Sequence, residues 1–277
     1  MSVSKSVLLI GLILALPALV VAQDPGVDRQ EVKDPNPAVG NPGIIEATGG
    51  PDGFGYTYFD SNSGCPVSFQ DISATGTALP LALGNNDNGA ANLALPFSFD
   101  FYGTLYTMLR ASTNGYLGDQ FDNGGDNDND CPIPAGPVAA RIYAYHDDLV
   151  APAGTSGMFA QDFSPCPLTS PTFPGATLDC TILQWNNMIY FSGGGGPFDM
   201  QAILYDQSWE IVYQYGSDVG QHGSGSTQGI MNQNSTIALQ HSCNTANSIP
   251  NNFSICFTHP NGTPVELESF DAKAVSE

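Results

Sequence analysis

From Gly53 onward, short aromatic and β-branched runs alternate with clusters of Gly, Asn, Asp and Pro. The runs are "FGYTYFD", "VSFQDI", "LPFSFDF", "LYTMLRAS", "ARIYAYHDDL", "TILQWNNMIYF", "DMQAILYD", "WEIVYQYG", "TIALQ" and "NFSICFTH". Period two is clearest in "WEIVYQYG", where Trp209, Ile211, Tyr213 and Tyr215 share one face and Glu210, Val212 and Gln214 the other. The stretch "DMQAILYDQSWEIVYQY" predicts a hairpin turning between Asp206 and Ser208. No segment sustains a 3.6 period, and 31 Gly and 21 Pro punctuate the chain throughout. Many short strands at regular spacing predict an all-β fold, an antiparallel β-sandwich with long Gly/Asn/Asp-rich loops. Within it, Asn114 and Gly115 supply a tight turn, and the glycines at 193–196 a hairpin loop. Trp185 and Trp209 fall in strand patterns and are expected in the core.

The two ends read differently. Lys5 followed by the apolar run "VLLIGLILALPALVVA" predicts a secretory signal peptide over residues 1–22. Residues 23–50, with "DPNPAVGNPG", form a Pro/Gly-rich extended leader with too little apolar area to order itself. The sandwich is expected over residues 51–260. Residues 261–277, ending in "VELESFDAKAVSE", read as a tail or the start of a following module. No stretch after the leader is apolar enough to span a membrane.

Charge and cysteine usage narrow the function classes. The formal charge is −21, from 27 acidic and 6 basic residues, and loss of Lys5 with the signal peptide makes it one unit more negative. Nucleic acid is excluded as a partner, because phosphate contacts need clustered Lys and Arg. Cys65, Cys131, Cys166, Cys180, Cys243 and Cys256 make an even count behind a signal peptide, which predicts three disulfides in an oxidising compartment. Proximity in sequence favours Cys166–Cys180 and Cys243–Cys256, leaving Cys65–Cys131. No Cys-x-x-Cys pair offers a zinc site.

Two stretches carry candidate chemistry. In "GGDNDNDC", Asp126, Asp128 and Asp130 have the spacing of the first ligands of an EF-hand loop. Cys131 replaces the sixth-position Gly and Pro137 the twelfth-position Glu, which excludes that motif. A looser calcium site over Asp122, Asp126, Asp128 and Asp130, with Asp119 nearby, stays in play because calcium takes 6–8 oxygens. Cys131 is expected to tie this acidic loop to the sandwich. In "YHDDL", His146 with Asp147 and Asp148 offers a hydrolase-like cluster, but neighbours on a strand point to opposite faces and do not converge without a bulge. Neither G-x-S-x-G nor H-E-x-x-H occurs.

Three segments carry a resemblance as an ordered set. They are "FYGTLYTMLRASTNGYL", "RIYAYHDDLVAPAGTSGMFAQ" and "TILQWNNMIYFSGGGGPFDMQAILYDQSWEIVYQYG". Together, over roughly residues 50–258, they resemble β-sandwich modules of bacterial secreted and surface proteins, and more remotely the nidogen-like extracellular domain. Tyr145 and His146 depart from that pattern, standing where Phe-Trp or Leu-Trp is usual before the acid. The resemblance implies a non-catalytic secreted or cell-surface module for extracellular interaction, adhesion or assembly. Its expected partners are an extracellular protein or glycan, or a second copy paired through strand edges. A carbohydrate-binding module is the alternative, and a hydrolase using His146, Asp147 and Asp148 the next.

Overall fold

The computed structural model describes residues 47–262, except Pro137, residues 153–156 and Gly194. The signal peptide, the leader before residue 47 and the tail after Gly262 lie outside the described residues. Within them the strands are β1 (Thr48–Gly49), β2 (Thr57–Asp60), β3 (Thr77–Ala78), β4 (Leu81–Gly84), β5 (Gly89–Phe101) and β6 (Thr104–Ser112). There follow β7 (Tyr116–Gly118), β8 (Arg141–His146), β9 (Leu149–Val150), β10 (Gly157–Phe163) and β11 (Cys180–Tyr190). The last are β12 (Phe198–Tyr205), β13 (Ile211–Tyr215), β14 (Thr227–Met231), β15 (Ala238–Cys243) and β16 (Ser254–Thr258).

The strands form two antiparallel sheets, so the all-β sandwich expected from the pattern is the fold observed. The first runs β1-β2-β16-β13-β12-β11-β10-β3, with β9 pairing the far end of β11, and the second runs β15-β14-β8-β7-β6-β5-β4. The two inner faces share one apolar core that includes Trp185, Tyr213, Tyr215 and Met200 from the first sheet and Phe99, Leu109, Ile142 and Tyr145 from the second. The expected hairpin is present, with Leu204 opposite Ile211. Trp209 lies before β13 in the turn, at φ 49°, and its indole donates to the Ser98 carbonyl at 3.3 Å. Gly115 ends the β6–β7 turn at φ 75°, and a Cβ there would stand 2.0 Å from the Tyr145 carbonyl oxygen. Only glycine fits that approach.

The outer face of the first sheet is also buried. Cys180, Ile182, Ile203, Tyr205, Val212 and Cys256 form a second core there beneath two loops, residues 64–76 and 164–179. "VSFQDI", expected as a strand, pairs with no strand and instead crosses this face as a strap. Its backbone is satisfied by three glutamines in register on adjacent strands, Gln184 opposite Gln201 and Gln201 opposite Gln214. Ile72 N–H donates to Gln184 at 2.8 Å, Gln70 N–H to Gln201 at 3.4 Å and Ser68 N–H to Gln214 at 3.0 Å. In return Gln201 and Gln214 donate to the Gln70 and Pro66 carbonyls. The side chains thus replace the ladder a neighbouring strand would supply. Glu210, buried on the same face, accepts from Ser170, Ser208 and Thr172 and so holds the second loop.

All six cysteines are paired, as Cys65–Cys256, Cys131–Cys243 and Cys166–Cys180. The last is the pair expected from proximity; the expected Cys243–Cys256 and Cys65–Cys131 are corrected. Cys243 ends β15 in the second sheet and Cys256 lies on β16 in the first, so thirteen residues of chain separate two layers rather than two neighbours. Each observed bridge fastens a covering loop to a strand. The bridges span 191, 112 and 14 residues, and in the chain-entropy picture the longest constrains the unfolded state by about 5 kcal/mol and the shortest by about 3 kcal/mol.

Replacing Gln201 by Ala strips partners from the Gln70 backbone and from Gln184. The expected outcome is a loss of about 2 kcal/mol in thermal or denaturant unfolding. Hydrogen exchange should quicken at the amides of Ser68, Gln70 and Ile72 well before that of β12 or β13.

Candidate functional site

The acidic stretch lies in the long loop between β7 and β8, which covers the outer face of the second sheet. Ile133 of the loop packs on Tyr116, Tyr143 and Met231, and its N–H donates to Gln240 at 3.0 Å. The Cys131–Cys243 bridge anchors it to β15. Beneath it, period two on β8 turns Arg141 and Tyr143 outward while Ile142 and Ala144 enter the main core.

Arg141 organises the near end of the loop. Its Nε meets Asp122 Oδ2 at 2.7 Å and its Nη1 meets Asp126 Oδ2 at 3.2 Å, with the guanidinium 4.0 Å from the Tyr116 ring centroid. The Arg141 and Asp122 side chains are 3% and 2% exposed, so each is a buried charge that needs the other. Asp122 also accepts from the Tyr116 hydroxyl and from Gly124 N–H.

The far end gathers around His146. Asp126, Asp130 and His146 each offer a ligand atom, all within 4.8 Å of one another. Asp130 accepts from the Tyr143 hydroxyl at 2.7 Å. Burial, followed by the Asp130 charge, holds that hydroxyl well above its ordinary pKa, which keeps it a donor. Burial likewise pushes the Asp130 carboxyl up, against the pull of His146 and the Tyr143 hydrogen bond. A Cβ on Gly136 would collide with the Asp130 carboxylate, so glycine at φ 76° lets the loop close over it. This buried Asp/Asp/His cluster has the donor chemistry to hold a metal ion.

The residues singled out from sequence are therefore divided. Asp126 and Asp130 come together. Asp122 is committed to Arg141. Asp128 contributes its backbone carbonyl, 2.7 Å from His146 Nε2. Asp119 caps the turn at Phe121 N–H. His146 converges with the loop rather than with Asp147 and Asp148; Asp147 accepts from the Asp148 backbone N–H instead. Arg141, Tyr116 and Tyr143 were not singled out. Neither was the larger role of Asn114, whose side chain receives Leu149 N–H and donates to Asn88, and whose carbonyl faces His146 Nδ1. Within "RIYAYH" a lone Arg in an apolar strand was the available signal for a buried counter-ion.

A second feature lies at the edge of the same sheet. β7 pairs with β6 at Arg110 and Ala111 alone, so among the described residues 104–109 face no strand on that side. A groove of about 280 Å³ lies there, bounded by residues 104–108 and 119–121. Phe121 is 85% exposed and Leu105 65%. By contrast, no Tyr or Trp is exposed.

Two sheets, three disulfides and loops locked over both outer faces define a disulfide-bonded β-sandwich of the kind found in extracellular modules. The family model described as NIDO related matches residues 56–263, and the chain belongs to that family. Neither the curated proteins nor the solved structures contain a match to it. The family confirms the nidogen-like half of the resemblance, a non-catalytic type of extracellular module. With the disulfides it fits an extracellular or secreted location. Among the described residues no helix is long and apolar enough to cross a membrane.

Arg141→Leu strands the buried Asp122 carboxylate and is expected to cost about 3–5 kcal/mol in denaturant unfolding. Adding Asp122→Asn should recover part of that loss, because the uncompensated charge leaves with it. Equal stability of the single and double variants would contradict this account of the pair.

Proposed function

We propose that this chain is an extracellular interaction and assembly module that associates with a second copy of itself through the open edge of β6. The observation that carries the reading is the edge at residues 104–109. Its sequence, Thr-Leu-Tyr-Thr-Met-Leu, has no charge in a chain with 27 acidic residues; it includes the exposed Leu105 and lies beside the exposed Phe121. Native sheets usually blunt an unpaired edge with charge, Pro or a covering loop. An uncharged, β-prone edge gives an antiparallel partner strand both backbone hydrogen bonds and apolar contacts. Within the strand itself two strongly anionic copies can meet without a charge of their own, with Asp119 the carboxylate at the margin of the groove. A sugar platform is less favoured, since among the described residues the exposed aromatics are Phe121 and Phe191, which lack the polar handle of Tyr or Trp.

Sedimentation velocity over a concentration series tests the reading. Reversible self-association is expected, weakened at least about tenfold by Leu105→Glu or Phe121→Glu, a change of about 1.4 kcal/mol. Both side chains are exposed, so folding stability should stay within about 0.5 kcal/mol. A monomer at all concentrations up to about 1 mM, where a contact of about −4 kcal/mol is half-occupied, would overturn it.

A further inference from the structure

His146 is enclosed by acceptors on both ring nitrogens, which calls for a second proton or a metal ion at one of them. The ring is fully buried, with Nδ1 3.1 Å from the Asn114 carbonyl and Nε2 2.7 Å from the Asp128 carbonyl. Both neighbours are acceptors. A neutral imidazole has one N–H and satisfies one of the two carbonyls; the other nitrogen then needs either a second proton or a bound metal ion. Charge points the same way. Asp122, Asp126 and Asp130 gather in one partly buried cluster with Arg141 as the basic side chain among them, which leaves carboxylate charge uncompensated.

We propose that Asp126, Asp130 and His146 bind a divalent transition ion of the zinc class, with Nε2 of His146 as the nitrogen ligand. Each ligand already has an outer partner. Asp126 gives one oxygen to Arg141, Asp130 gives one to Tyr143, and His146 directs Nδ1 at the Asn114 carbonyl. Each carboxylate thus keeps an oxygen for the ion, and with Nδ1–H donating to the Asn114 carbonyl the Nε2 lone pair serves the ion once the Asp128 carbonyl gives way. A tetrahedral ion with bonds of about 2.1 Å spaces its donors by about 3.4 Å, so atoms now within 4.8 Å of each other must close by no more than about 1.4 Å. Side-chain rotation of Asp126, at 19% exposure, supplies much of that movement. The Asp128 carbonyl, now 2.7 Å from Nε2, must move outward by about 0.7 Å to join the shell, or yield its place to a solvent molecule.

The donor set also selects the ion. Calcium, expected from the oxygen-rich loop, takes 6–8 hard oxygen ligands, whereas an imidazole nitrogen with two carboxylates suits zinc and its neighbours. Bound there, the ion fastens residues 126–130 to β8, five residues or fewer from the Cys131–Cys243 bridge.

The test uses the full secreted chain, stripped with a chelator and titrated calorimetrically with zinc and separately with calcium. The expected result is one zinc per chain, little or no calcium uptake, a higher melting temperature with zinc, and affinity at least about tenfold weaker in Asp126→Asn, Asp130→Asn and His146→Asn. Should His146→Asn not fold, nitrogen-15 NMR of the wild-type ring reads the same point: Nε2 should shift on zinc addition while Nδ1 keeps its proton. No zinc uptake, binding indifferent to these substitutions, calcium bound as tightly as zinc, or an unmoved Nε2 resonance would each overturn the proposal. None of these results bears on the β6 edge, for which Leu105→Glu, outside this cluster, is the separate sedimentation test.

Discussion

Backbone amides that lie across a sheet face rather than beside a strand have no ladder to join, and they must still be satisfied when buried. The row of Gln184, Gln201 and Gln214 meets that requirement, and much of the molecule follows from it. With those amides in place, residues 66–72 can cross the first sheet without a strand partner, and Ile72 can reach Ile182, Ile203 and Val212 beneath. The strap is then worth fastening, and Cys65–Cys256 fastens it. The same solution recurs with different chemistry on the second sheet, where Arg141, Tyr143 and Gln240 hold the acidic loop and Cys131–Cys243 pins it.

Fold class was legible because period two and turn residues are local signals. "WEIVYQYG" assigns Ile211, Tyr213 and Tyr215 to one face correctly, and they enter the main core. What period two does not carry is whether the other face meets water. Glu210, Val212 and Gln214 share that face and are all buried, because a loop more than 130 residues away in sequence covers Gln214. Strands lacking apolar alternation were invisible for the same reason. β14, "TQGIM", is buried at every position but offers Gln and Gly where a strand pattern wants branched residues. Its place is set by β8 and β15 on either side.

The candidate site was half legible. Alternating acids in "GGDNDNDC" identified donors, and Cys131 identified a tether. Ligand spacing within the loop suggested that the acids would serve one another. In the fold they serve β8, whose Arg141 takes Asp122 and whose His146 meets Asp126 and Asp130. Disulfide pairing failed on the same point. Cys243 and Cys256 are near in sequence, yet the chain changes sheets between them, and no local pattern records a change of layer.

β16 is the last described strand made and it sits inside the first sheet, between β2 and β13. β2 therefore has no place in the sheet until the ribosome has produced residues nearly two hundred positions later. During synthesis, Cys65 emerges long before Cys256, with Cys131, Cys166, Cys180 and Cys243 arriving between them. The native partner of the first cysteine is thus the last of the six to be made. The first sheet is thus completed by its last described strand, and a nascent chain halted short of Ser254 would lack the strand that joins β2 to β13.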